Sequence, residues 1–293
     1  MGLDPKLEFI PEEIVIRHAR LSSDPSVCAA EAIYEFNVKL IDAVCQVIPA
    51  IKPQFAYYEM YGIHGLETLY KTIDYAKSKG MLVIADAKRN DIGTTAEAYA
   101  RAIIGKTTLS DNSVQAMTGA DAVTVNAYLG IDGIKPFIDT ARENAAGLFV
   151  LVRTSNPSAG DFQDLSMEDG MPLYEKVAEK VSEWGRDLIG ECGYSSVGAV
   201  VGATWPEQAA SLRKQMPHTM ILVPGYGAQG GDADSAAVNF DANGRGAIVN
   251  ASRSLMCAYK KRSDLQPEDF QKAAYDEAIR MRDDLNRAIA RIS

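Results

Sequence analysis

The amino-acid sequence predicts an α/β fold, a (β/α)8 TIM barrel forming one domain over residues 1–293. Three observations carry that prediction. Short apolar runs alternate with long amphipathic ones along the chain, which is the pattern of a parallel sheet covered by helices. Four of the runs, MLVIADA (81–87), LFVLVRT (148–154), GAVVGA (198–203) and MILVP (220–224), are almost continuous in small and branched apolar residues, as strands buried on both faces require. Seven strands and an N-terminal stub make eight units, a number that favours a closed barrel over an open doubly wound sheet.

In chain order, the stub is Met1-Gly2-Leu3-Asp4. It reads as a truncated first strand, and so short a strand is expected to leave unpaired edges. The second strand falls in Ala50–Ala56, interrupted by Lys52-Pro53, and the third in Met81–Ala87. Ala122–Ala127, Leu148–Thr154, Gly198–Ala203, Met220–Pro224 and Ala247–Ser252 supply the rest. Helical periodicity occupies Ala29–Ile48, Leu66–Lys79, Leu173–Ile189 and Pro206–Met216. Ser158–Pro172 is polar and aperiodic, a loop beyond the fifth strand. Pro267–Ile292 is a closing helix, with Pro267 near its start and Glu268-Asp269 in its first turn.

The totals exclude several classes of function. A formal net charge of −9 repels phosphodiester backbones, so no nucleic-acid partner is expected. The four cysteines form no C-x-x-C pair and the three histidines no H-x-x-x-H pair, so neither a disulfide framework nor a zinc site is predicted. No run approaches the length of a membrane span, and the first residues lack the pattern of a signal peptide. A cytoplasmic location with no membrane association is the expectation.

Two constellations carry chemistry. Asp86-Ala87-Lys88-Arg89-Asn90-Asp91 follows the apolar run of the third strand. Residues two apart in a strand share a face, so Asp86 and Lys88 are expected to project together, with Asp91 just beyond. Lys52 breaks the neighbouring apolar strand in the same way. Charges in such positions are costly unless paired, and two lysines with two aspartates exceed what packing needs. The second constellation, PGYGAQGG (224–231), satisfies G-x-G-x-x-G between 225 and 230. It follows the seventh strand rather than the first, which argues against a dinucleotide fold. A glycine turn whose N–H groups reach a single phosphate fits better, because barrels place phosphate after the seventh and eighth strands. Arg253, just past the eighth strand, supplies a planar fork for that phosphate.

With those residues identified, the chain resembles the orotidine 5′-phosphate decarboxylases, specifically their longer bacterial branch. The likeness runs from GLDP (2–5) to Ser252-Arg253 through AIKPQFAYYE, DAKRNDIGTTAEAYA, DAVTVNAYLG, VRTSNPS, VVGATWPE and PGYGAQGGD. It implies conversion of orotidine monophosphate to uridine monophosphate and CO2 in de novo pyrimidine biosynthesis, without metal or cofactor. It implies that Lys52, Asp86, Lys88 and Asp91 are the catalytic tetrad, with Lys88 protonating C6 of the base. It implies a homodimer with shared active sites, in which Asp91, Ile92 and Thr95 serve the partner subunit. Asp4 would bind a ribose hydroxyl, Ser155 the pyrimidine edge, Gln229 and the adjacent Gly230 the region between base and phosphate, and Arg253 the phosphate. Two alternatives remain: a related sugar-phosphate enzyme that binds Mg2+, and a barrel that binds phosphate without turnover. Lys52 speaks against the first, because those relatives carry a carboxylate at that point.

Overall fold

The structure, a computed structural model, describes residues 1–227 and 230–292. Eight parallel strands alternate with helices: β1 (Gly2–Leu3), β2 (Ala50–Pro53), β3 (Leu82–Arg89), β4 (Ala122–Val125), β5 (Gly147–Arg153), β6 (Ser195–Val201), β7 (Thr219–Val223) and β8 (Ala247–Val249). Helices of eight residues or more are α1 (Glu12–Ala19), α2 (Pro25–Val44), α3 (Gly62–Ser78), α4 (Gly93–Ile104), α5 (Ile131–Asn144), α6 (Leu173–Gly185), α7 (Pro206–Gln215) and α8 (Phe270–Ile289). The chain divides into two compact units. One comprises Met1–Ala87, Thr118–Ala120 and Ala251–Arg282; the other comprises Lys88–Met117, Asp121–Asn250 and Asp283–Ser293.

In the first unit β1 pairs with β2 and β2 with β3, all parallel. The stub is short, but its backbone is paired. Gly2 lies opposite Lys52 and Leu3 opposite Pro53. The Gly2 N–H donates to the Ala251 carbonyl (2.8 Å), and the Met1 and Leu3 carbonyls accept from Lys52 and Gln54 (2.8 and 3.0 Å). The unpaired edge expected from its length is therefore filled on both sides, as buried backbone groups must be. Leu3, Ile51 and Val83 are fully buried, as are Ile33 and Phe36 of α2 and Leu69 and Ile73 of α3. Helix α2 begins with Pro25 in its first turn and Asp24 as its cap, accepting from the Ser26 N–H at 2.8 Å.

The second unit carries β4 to β8 in sequential parallel order. Val123, Val125, Val150, Val197, Ala199, Val201, Ile221 and Val223 form its core at zero exposure. The regular repeat is interrupted in places, among them the β6–β7 register between Ser195 and Ala199. A short antiparallel hairpin, Thr107–Thr108 with Val114–Gln115, is inserted after α4. The β5–β6 register also shifts between Leu151 and Arg153. Ser158–Pro172, read as loop, contains a four-residue helix, Gly160–Gln163. The closing helix starts at Phe270, after a turn from Pro267 in which Gln266 and Asp269 form a capping box.

Candidate active site

In the first unit Lys52 and Asp86 sit on adjacent strands, 6% and 5% exposed. The Lys52 ammonium donates to Asp86 Oδ2. Gln54 Nε2 donates to the same oxygen at 3.1 Å, and the Phe55 N–H donates to the Asp86 carbonyl at 3.2 Å. A buried carboxylate and ammonium are tolerated when each satisfies the other and further donors complete the shell. Asp4 follows β1, and its Oδ1 is buried without a hydrogen-bond partner among the described residues. Its charge adds to burial in pushing the Tyr58 phenol above the ordinary tyrosine range.

Strand β3 leaves extended geometry at Lys88, whose φ is +46°. That left-handed region is uncommon for a residue with a side chain and costs about 1–3 kcal/mol where it occurs. The expected alternation presumes ordinary extended backbone, from which the φ of Lys88 departs. Its N–H is held by Thr124 Oγ1 of β4 at 3.0 Å, and its side chain is exposed while Asp86 is buried. Beyond it the Arg89 carbonyl accepts from the Asn126 N–H at 3.1 Å, and the Arg89 guanidinium lies 5.5 Å from the Tyr99 ring centre. Asp91 Oδ1 accepts from the Ile92 N–H (2.8 Å), and Ile92 and Thr95 are both exposed around the start of α4.

Residues 24–266 match the model of the "Orotidine 5'-phosphate decarboxylase / HUMPS family". The chain belongs to that family. An orotidine 5′-phosphate decarboxylase of Rhodopirellula baltica is 45% identical, covering 96% of this chain and 89% of its own. One from Caldicellulosiruptor saccharolyticus is 42% identical over 99% of this chain and 93% of its own. Among solved structures, Leishmania donovani OMP decarboxylase aligns with a TM-score of 0.74 at 28% identity, covering 99% of this chain and 92% of that one. The chain has the (β/α)8-barrel fold of the family, and its nearly full-length similarity is to the decarboxylases.

The remaining family positions lie on the loops of the two units. Ser155, half-buried, follows β5 after Thr154. After β7, Gly225, Gly227 and Gly230 all have positive φ (97°, 80° and 92°), which explains glycine there. Contrary to the simplest reading of that turn, three of its N–H groups are used within it. Gly227 donates to Gly231, Gly230 to Gly227 and Gly231 to Gly225, at 2.7–3.2 Å. Gln229 lies outside the described residues. Arg253, in the first unit, is exposed at the start of the short helix Arg253–Met256. A cleft of about 500 Å³ lies at the beginnings of β6 and β7, lined by Arg186, Ser195 and His218 among others. That is the end of the strands away from Ser155 and the glycine turn, and barrel active sites occupy the carboxyl ends.

Sequence reasoning missed three contributors. Gln54 shares Asp86 with Lys52; its signal was a second polar residue two places along a buried strand. Thr124 holds the Lys88 backbone, and nothing in its apolar surroundings announces that. Arg153 ends β5 completely buried, and an arginine closing a valine-rich strand was the available signal. Among the described residues no group of three or more His, Cys, Asp or Glu is placed to hold a metal ion, and no helix is long and apolar enough to cross a membrane.

Proposed function

We infer that this chain decarboxylates orotidine 5′-monophosphate to uridine 5′-monophosphate, acting as one catalytic domain without metal or cofactor. The observation that carries the reading is the charge arrangement on β2 and β3. A buried Lys52–Asp86 pair is followed two residues on by a lysine held in left-handed backbone. Packing gains nothing from that conformation, and such outliers cluster at functional sites.

The chemistry asks for this arrangement. Cleavage of the C6–CO2 bond leaves its electron pair on C6, in the plane of the pyrimidine ring, where the π system does not spread it. A fixed ammonium stabilises that charge electrostatically and then transfers a proton to C6. Lys88 is that ammonium, and its neutral amine regains a proton from solvent. Asp86 faces the departing carboxylate, and Lys52 holds Asp86 in place. Asp4 takes a ribose hydroxyl, Ser155 the base, Gln229 and Gly230 the region between base and phosphate, and Arg253 the phosphate. Phosphate contacts remote from C6 then contribute to fixing the reacting geometry.

The working form is a homodimer with shared sites, in which Asp91, Ile92 and Thr95 complete the site of the partner subunit. Exposed apolar residues support this: Ile92 is 54% and Tyr128 80% exposed, with exposed Leu129 and Ile131 close to Tyr128 in sequence. A Cβ added at Gly133 would meet Asp91 O at 3.1 Å and Leu129 Cβ at 3.3 Å, so the Asp91 loop and this apolar group are adjacent. Contiguous exposed apolar residues beside a charged loop suit a protein interface. The test of the assignment is Lys88→Ala. Turnover is expected to vanish while affinity for uridine monophosphate stays within about a hundredfold; retained turnover removes Lys88 from the proton-donor role.

A further inference from the structure

Arg153 is fully buried, and among the described residues it is the largest side chain with that property. It ends β5 at the point where the register with β6 slips, pairing with Val201 after Leu151 has paired with Val200. Such irregularities re-aim side chains beside functional sites. The guanidinium lies 4.7 Å from the Trp205 ring centre and 5.2 Å from that of Tyr174. Its Nε donates to Gln208 Oε1 at 2.7 Å. The other nitrogens reach residues from the middle of the loop after β5. One donates to Gln163 Oε1 (3.3 Å) and lies 3.1 Å from Asp164 Oδ1, and the other donates to Asp164 Oδ2 (3.3 Å).

The same loop partners grip the residue before Ser155. Gln163 Oε1 accepts from the Thr154 N–H (3.0 Å), and Gln163 Nε2 donates to Thr154 Oγ1 (2.7 Å). Trp205 Nε1 donates to the Thr154 carbonyl at 3.2 Å. Both polar groups of the Thr154 backbone are thereby fixed by side chains that touch Arg153. On the other side Ser155 is pressed against Gly202, where an added Cβ would stand 2.9 Å from Ser155 Cβ and 3.1 Å from its backbone nitrogen. Ser155 is left little freedom to move. A buried arginine with a single carboxylate partner, itself half-exposed, is a costly way to close a strand. Apolar packing would serve stability as well.

We propose that Arg153 is a positioning residue for the base: it ties the middle of the loop to the strand end and so sets Ser155 for the pyrimidine edge. This rests on the assignment of Ser155 to the base. The planar fork is needed to hold Gln163 and Asp164 while lying between two rings, a task for which lysine is no substitute.

The test is a double-mutant cycle with Arg153→Lys and Ser155→Ala, read as kcat/KM for orotidine monophosphate. Arg153→Lys is expected to lower it by about ten- to a hundredfold, the scale of a small misplacement of a substrate contact. In the Ser155→Ala background the same change is expected to matter less than about threefold, because the contact it serves is gone. Affinity for ribose 5-phosphate, which has no base, is expected to stay constant throughout. Multiplying effects, or an equal loss of ribose 5-phosphate affinity, would overturn the role of Arg153. An unaffected Ser155→Ala enzyme would instead overturn the assignment of Ser155. Should Arg153→Lys fail to fold, Gln163→Ala cuts the same link from the loop side, and its cycle with Ser155→Ala carries the same outcomes.

Discussion

Replacing Lys52 by methionine keeps most of the buried stem and removes only the charge, so it isolates the ion pair. In the wild-type chain Asp86 is 5% exposed and its Oδ2 receives both Lys52 and Gln54. Without Lys52 the carboxylate keeps Gln54 as a neutral donor, and removing one partner of a buried pair costs about 3–5 kcal/mol. Protonation sets an upper bound. Forcing a proton onto an aspartate of ordinary pKa near 3.9 costs roughly 4 kcal/mol at pH 7, at about 1.4 kcal/mol per pH unit. We therefore expect Lys52→Met to lose about 3–4 kcal/mol at pH 7. Its folded state would bind a proton that the unfolded state does not, so its stability falls as pH rises above about 4. The deficit should shrink to about 1 kcal/mol at pH 4.5 by the same arithmetic. Urea unfolding at the two pH values measures this directly. The pair variant Lys52→Met with Asp86→Leu should return to within about 1 kcal/mol of wild type at both, though inactive, because apolar groups of similar volume replace buried ion pairs without penalty. A Lys52→Met deficit below about 1 kcal/mol at pH 7, or one that does not change with pH, would show that the pair is not closed in the unliganded protein.

Three further outcomes are expected. Mixing Lys88→Ala with Asp91→Ala protein should restore about a quarter of wild-type activity, because random re-pairing of a two-fold dimer leaves one intact site in each hybrid; no recovery after demonstrated subunit exchange would refute shared sites. Lys88→Gly should be about 1 kcal/mol more stable to urea than Lys88→Ala, since glycine adopts positive φ without strain; equal stability would remove strain from the account. Glu35 is raised by partial burial, but bonds from Lys39 (2.7 Å), His18 (2.8 Å) and Arg17 more than offset this and bring it down to about 2. A depressed carboxyl stabilises above its unfolded value and loses that contribution as pH falls from about 4.5 to about 2. Glu35→Gln should therefore cost about 1 kcal/mol at pH 7 after solvent screening and nothing near pH 2, as calorimetry at the two pH values would show.

Much of this molecule was legible in the sequence because its strands are buried on both faces. Met81–Ala87 and Gly198–Ala203 read as parallel core strands, and the structure has strands at Leu82–Arg89 and Ser195–Val201, with the bounds displaced by up to three residues. Lys52 and Asp86 were legible for the complementary reason: charge in an apolar strand has to be matched, and they match each other. The rest depended on backbone detail that residue type does not announce. Lys88 at φ +46° lies outside the extended backbone that side-chain periodicity assumes. The slip between β5 and β6, which aims Arg153, has no glycine or proline to mark it. The glycine turn after β7 was read correctly as a turn, but its N–H groups also bond within it, a competition that composition does not reveal. The two-residue strand β1 is paired by groups more than 45 residues away, which no local window contains.

The most direct test of the central claim is the decay of orotidine monophosphate absorbance with purified protein, a chelator present and no cofactor added. The account predicts steady turnover to uridine monophosphate that chelation leaves unchanged and that Lys88→Ala abolishes. Turnover that stops with chelator and returns with a divalent metal would contradict it, and so would a folded wild-type protein that binds uridine monophosphate and never consumes the substrate.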